Sequence, residues 1–75
     1  MKKDILDVYT KPNCPKCTEL KEFLRSKDIS FFVIDLTVDK VALENIKRAG
    51  HGTVPQVYKD GTYVGDGNFT MEAYS

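Results

Sequence analysis

Seventy-five residues, 41% of them hydrophobic and 29% charged, are an ordinary globular composition, which excludes a disordered or membrane-spanning chain. Eleven Lys and Arg offset eleven Asp and Glu to a net charge of zero, so no basic face is offered to nucleic acid or to an anionic membrane. A chain of this size buries roughly 60% of the surface its unfolded form exposes, enough for one core, so one domain over residues 1–75 is expected.

The start, Met1-Lys2-Lys3, is interrupted by Asp4 and Asp7 before any apolar run of an export signal develops. A soluble protein of the reducing cytoplasm is expected. Residues 4–10 are a short apolar run containing β-branched and aromatic residues and read as a mostly buried strand, closed by Lys11-Pro12-Asn13. From Pro15 the period changes: Cys17, Leu20, Phe23 and Leu24 recur at steps of three and four while charged residues take the other side, which predicts an amphipathic helix. Proline suits the first helical turn, so this helix starts at or just after Cys14.

Residues 30–36 are apolar on both faces and predict a strand covered on both sides. Asp39 caps a second helix with Ala42, Leu43, Ile46 and Ala49 as its apolar stripe, a Glu44–Arg48 pair one turn apart and Gly50 at its end. Gly52-Thr53-Val54-Pro55 then leads into a strand at Gln56-Val57-Tyr58. Lys59-Asp60-Gly61 is a turn signal, and Thr62-Tyr63-Val64 pairs back as a hairpin. The remaining residues allow at most two helical turns capped by Asn68. The order β-α-β-α-β-β is α/β: a parallel crossover unit plus an antiparallel hairpin, giving a mixed four-stranded sheet flanked by helices with a short or absent C-terminal helix.

The two cysteines of the chain are Cys14 and Cys17. A bridge between them closes so short a loop that its entropic contribution is only about 2 kcal/mol, so the spacing points to chemistry rather than to a structural staple. A free thiol near pKa 8.5 is about 3% ionised at pH 7, and the thiolate is the nucleophile. At a helix start, unpaired N–H groups and the dipole favour the Cys14 anion, with Lys16 and Lys11 adding full charges nearby. Cys17, one turn on and on the side of Leu20 and Leu24, is the more buried thiol. Spacing i to i+3 brings the sulfurs within disulfide reach, so Cys14 attacks a disulfide and Cys17 resolves the mixed disulfide. A closed zinc site needs four ligands, and His51 is the one further soft ligand, so metal or iron–sulfur binding would need a second chain. An adaptor domain without turnover is a further alternative.

Cys-x-x-Cys after a strand in a β-α-β unit, with Thr53-Val54-Pro55 before the third strand, resembles the glutaredoxin family of the thioredoxin-like fold, from Ile5 to about Asn68. The resemblance implies a thiol–disulfide oxidoreductase that reduces protein disulfides or glutathione mixed disulfides, with no tightly bound cofactor or metal. It also implies a cis Val54–Pro55 bond facing the disulfide, with Val54 lending its backbone to the substrate and Thr53 beside it. By the same resemblance Lys11 meets a glutathione carboxylate, His51 stands near the glycine carboxylate, and Gly65, Asp66, Gly67 and Asn68 lie where backbone N–H groups hold the γ-glutamyl carboxylate. Pro15 and Lys16 complete the substrate groove.

The sequence departs from the family pattern in three places. Asp66 replaces a second glycine, Lys16 stands where an aromatic is common, and the last helix is short. Asp66 puts a negative side chain near the place for a substrate carboxylate and favours reduction by thioredoxin reductase, whereas Lys11 favours glutathione and glutathione reductase. Ribonucleotide reductase is a protein substrate that the resemblance implies, and a monomer is expected.

Overall fold

The computed structural model describes residues 5–75. Asp4, with which the first strand was expected to begin, lies outside them. The chain runs β1 (Ile5–Thr10), α1 (Pro15–Ser26), β2 (Ser30–Asp35), α2 (Lys40–Arg48), β3 (Gln56–Lys59), β4 (Thr62–Asp66) and α3 (Gly67–Ala73). The sheet order is β2-β1-β3-β4. Strand β1 pairs parallel with β2, Val8 opposite Val33, and antiparallel with β3, Val8 opposite Val57. Strands β3 and β4 form the expected hairpin, with a bulge between Val57 and Tyr58. This is the mixed α/β sheet of the thioredoxin-like fold, with a short C-terminal helix present.

Alternation along β1 divides the core. Leu6 and Val8 turn to one face, where with Val57 they meet Leu20 and Leu24 of α1, and where Met71 and Tyr74 close the layer from the C-terminal end. The periodic apolar stripe of α1 therefore meets the alternating stripe of β1, each fully buried leucine contributing about 2 kcal/mol of transfer free energy. The opposite face carries Tyr9, Ile34 and Tyr58 under Ala42 and Ile46 of α2. Asp39 caps α2, accepting the Ala42 N–H at 3.0 Å. Arg48 reaches Glu44 at 3.5 Å on the exposed side.

Three local expectations are corrected. Strand β2 is an edge strand rather than one covered on both sides: Phe32 is 63% and Val33 47% exposed, because β1 alone flanks it and neither helix layer extends over these side chains. Ala49 is not part of the α2 stripe; it is the exposed C-cap, and Gly50 with φ +88° turns the chain away. The cap of α3 is Asp66, not Asn68. Strand β4 stays paired as far as Asp66, opposite Gln56, so the first residue free to cap the helix is Asp66. Among the described residues no helix is long and apolar enough to cross a membrane.

Candidate active site

The end of β1 delivers the chain to the site. Asn13 takes a left-handed conformation, φ 58°, which asparagine tolerates better than most residues. Cys14 is extended, φ −116° and ψ 100°, and is the N-cap of α1, with Pro15 following as the first-turn residue. Its sulfur accepts the Cys17 N–H at 3.2 Å, and its carbonyl accepts the Thr18 N–H at 3.1 Å. Cys14 and Cys17 are joined in a disulfide with Cα atoms 5.2 Å apart. Cys17 is 1% exposed against the core, whereas Cys14 is half-buried and reachable. A backbone donor is thus already directed at the sulfur that would carry negative charge, at the positive end of a twelve-residue helix.

The opposing wall is Thr53-Val54-Pro55. The Val54–Pro55 bond is cis, and the Val54 carbonyl oxygen lies 4.0 Å from the Cys14 sulfur. A residue that sequence reasoning missed holds this wall. Gln56 is 4% exposed; its Nε2 donates to the Thr53 carbonyl at 3.1 Å and lies 3.3 Å from the Thr53 hydroxyl. The Tyr63 hydroxyl donates to Gln56 Oε1 at 2.7 Å, so both ends of the amide are used. No local sequence signal marks this role, because it depends on β3 and β4 being paired.

Two open grooves meet at Val54. One, about 350 Å³, runs along Pro55 between Lys16 and Asp66, with Gly67, Asn68 and Met71 beyond. Most of the residues implied by the glutaredoxin resemblance gather here, and Met71 joins them unannounced by the sequence. The Asp66 carboxylate accepts the Phe69 N–H at 2.9 Å, so an acid already occupies part of the α3 start. A Cβ on Gly67 would stand 2.8 Å from Pro55 Cγ, so glycine lets α3 approach the proline closely. Gly65, within β4, does not line either groove; it is buried at φ +154°, where a Cβ would meet the Phe69 ring.

The second groove, of similar volume, lies on the α2 side and is where Lys11 is found, apart from Lys16. His51 also lines it. Its ring stacks on Tyr63 with centroids 4.5 Å apart, and its Nε2 is 3.0 Å from the Tyr58 hydroxyl. His51 is therefore anchored in an aromatic cluster with the polar tips of the tyrosines engaged. Burial pushes the Tyr63 phenol above its usual value, with Asp66 adding to the shift. Among the described residues no group of three or more His, Cys, Asp or Glu could hold a metal ion.

A redox-active Cys-x-x-Cys pair at a helix start, faced by a cis-proline in this sheet, defines the class: a thiol–disulfide oxidoreductase of thioredoxin-like architecture. Within that class the chain belongs to the glutaredoxin family, whose family model, Glutaredoxin, matches residues 6–64. It is 41% identical to Glutaredoxin 3 of Escherichia coli (strain K12) over 63 residues, 80% of this chain and 74% of that one. The thioredoxin-like protein BC3987 is 26% identical, with a TM-score of 0.76 over 93% of this chain and 99% of that chain. NrdH-redoxin from Escherichia coli, described as a glutaredoxin-like protein with a thioredoxin-like activity profile, superposes with a TM-score of 0.81 over 92% of each chain. At 17% identity that likeness concerns the fold alone.

Proposed function

We propose that this protein reduces disulfides of protein substrates and glutathione mixed disulfides through the Cys14/Cys17 pair. The carrying observation is the asymmetry of the two sulfurs: Cys14 is reachable and receives a backbone N–H, while Cys17 is sealed against the core. The reduced Cys14 thiolate attacks one sulfur of the target, forming a Cys14–S–S–R bond and releasing the other half as a thiolate. Cys17 then loses its proton and attacks the Cys14 sulfur, expelling R–S⁻, which takes up a proton. The target gains two electrons and the pair is left as the Cys14–Cys17 disulfide. Val54 and Pro55 form the wall along which the substrate chain lies, and Thr53 shapes it through Gln56. Two molecules of glutathione would restore the dithiol, themselves becoming glutathione disulfide for glutathione reductase. Lys11 and the family membership support that source.

A second reading of the electron source has a specific observation behind it. The Asp66 carboxylate lies at the N-terminus of α3, the place at which the resemblance puts the γ-glutamyl carboxylate. Like charge at that place penalises glutathione and favours thioredoxin reductase. Ribonucleotide reductase is the proposed protein substrate, and the protein is proposed to act as a cytoplasmic monomer with no resident cofactor. The test is turnover of a glutathione mixed disulfide and of a protein disulfide, each driven by glutathione with glutathione reductase or by thioredoxin reductase. Turnover with glutathione establishes the first source; turnover with thioredoxin reductase alone establishes the second. Absence of turnover with both, in protein whose pair is shown to be reduced, overturns the oxidoreductase assignment.

A further inference from the structure

The groove on the α2 side of Val54 holds Lys11 and His51, which the resemblance gives to the glutathione carboxylates, and beyond them its chemistry is lopsided. Lys11 comes from the loop after β1, and Lys40 and Lys47 come from α2. The two α2 lysines are seven residues apart, two turns along one helix face, with Leu43 between them on the same side. Leu36 and Ile46, 5% and 4% exposed, lie beneath, and Val54 closes the end towards the disulfide. No acidic side chain lines the groove. Of the nearby acids, Asp35 accepts the Thr37 N–H and hydroxyl and feels a smaller attraction from Lys40, and Asp39 accepts the Ala42 N–H. Among the described residues no salt bridge engages Lys11, Lys40 or Lys47. In a chain of zero net charge, three lysines around one apolar floor form a local excess of positive charge beside the reacting sulfur.

We propose that this groove docks an acidic segment of a protein substrate, one in which Asp or Glu and a large aliphatic residue stand close to the cysteine under attack. The proposal deepens the oxidoreductase reading above and rests on it. Charge complementarity selects the acids, and the floor of Leu36, Leu43 and Ile46 takes the aliphatic side chain. Because Thr53 and Val54 line this groove and also the groove along Pro55, a chain lying on Val54 would pass from one to the other. Two features favour a polypeptide over a small anion. The groove carries an apolar floor, and Val38 and Val41, 77% and 72% exposed, flank the lining residues Thr37 and Lys40 with further apolar surface.

The test uses the pre-reduced protein in single turnover, so that the electron source does not enter. Its oxidation rate constant is measured with two peptide disulfides that differ only in having Glu–Leu or Lys–Leu pairs on both sides of the cysteine. Glutathione disulfide and bis(2-hydroxyethyl) disulfide serve as comparisons. At low salt the acidic peptide is expected to react about tenfold faster than the basic one, the ratio falling towards one as salt screens the charges. Lys40→Glu with Lys47→Glu should abolish or invert that preference and leave the rate with the uncharged disulfide unchanged. Glutamate at position 40 sits in the first turn of α2, where the helix favours it, and a thermal melt checks that the fold is retained.

Equal rates for the two peptides, or a preference that survives the double reversal, overturn the docking site while leaving the oxidoreductase reading intact. A loss with glutathione disulfide as large as that with the acidic peptide also overturns it, since the groove would then serve the tripeptide. If none of the four disulfides oxidises the pair, the oxidoreductase reading fails and the docking site fails with it.

Discussion

Asp66 accepts the Phe69 N–H at 2.9 Å, and this one bond serves two ends: it starts α3, and it places a carboxylate in the groove that runs along Pro55. Replacing Asp66 by glycine separates them. Glycine at an N-cap costs only a few tenths of a kcal/mol relative to a good capping residue, so Asp66→Gly should melt within a few degrees of the parent. Removing the negative charge should lower KM for a glutathione mixed disulfide severalfold, with little change in kcat. An unchanged KM would show that the Asp66 carboxylate does not face the tripeptide.

Gly67 is set against Pro55. A Cβ there would stand 2.8 Å from Pro55 Cγ, and the ring is buried. Gly67→Ala must therefore push α3 or the cis-proline loop, a kind of overpacking that costs about 1–3 kcal/mol. Denaturant midpoints measure the loss. The rate of oxidation of the reduced pair should fall as well, because the displaced loop is the wall facing Cys14.

Gln56 holds that wall through Thr53 and lines neither groove. Gln56→Leu removes the donor to the Thr53 carbonyl and the acceptor for Tyr63, and should cost about 1–2 kcal/mol. Gln56→Glu keeps an acceptor for the Tyr63 hydroxyl but loses the donor to Thr53. Because the bond to Thr53 holds the wall, both variants should slow reaction with a peptide disulfide by a similar factor, whereas Tyr63→Phe should leave the rate nearly unchanged. A purely structural role would instead make the rates follow stability.

The Asp35 carboxylate accepts the Thr37 hydroxyl at 2.6 Å and the Thr37 N–H at 2.8 Å. These bonds, with Lys40 adding a smaller attraction, hold it below its ordinary value of 3.8. Because the folded value is the lower one, its stabilising contribution is full above the ordinary value and is lost as pH falls through the depressed one. Thermal melts of Asp35→Ala should therefore lie below the parent near neutrality and converge with it in acid. A constant gap between the two down to pH 2 would contradict this.

Much of this site was legible in the order of residues. Pro15 marks the start of α1, the change of period from β1 to α1 fixes which cysteine is buried, and Thr53-Val54-Pro55 carries the resemblance that implied the cis bond. What was misread depends on partners distant in sequence. The Phe31-Phe32-Val33-Ile34 run reads as a fully covered strand, yet β2 falls at the sheet edge, and nothing local in the run marks an edge. Asp66 and Asn68 are both good caps; the choice between them is made by β4 pairing with β3 as far as Gln56 opposite Asp66. Lys11 precedes the motif and Lys16 stands inside it, yet they line different grooves, because the loop and the helix leave Cys14 in different directions. Gln56 and Met71 acquire their places only when the sheet and α3 assemble.

The division of labour between the two sulfurs is tested most directly by trapping. Reduced Cys17→Ser and reduced Cys14→Ser are each mixed with a peptide disulfide, quenched with acid and weighed by mass spectrometry. A lasting mixed disulfide on Cys14 in the Cys17→Ser protein, with little or no adduct on Cys17 in the Cys14→Ser protein, is the predicted result. Equal or faster formation of the adduct on Cys17 would contradict the assignment of Cys14 as the attacking thiolate.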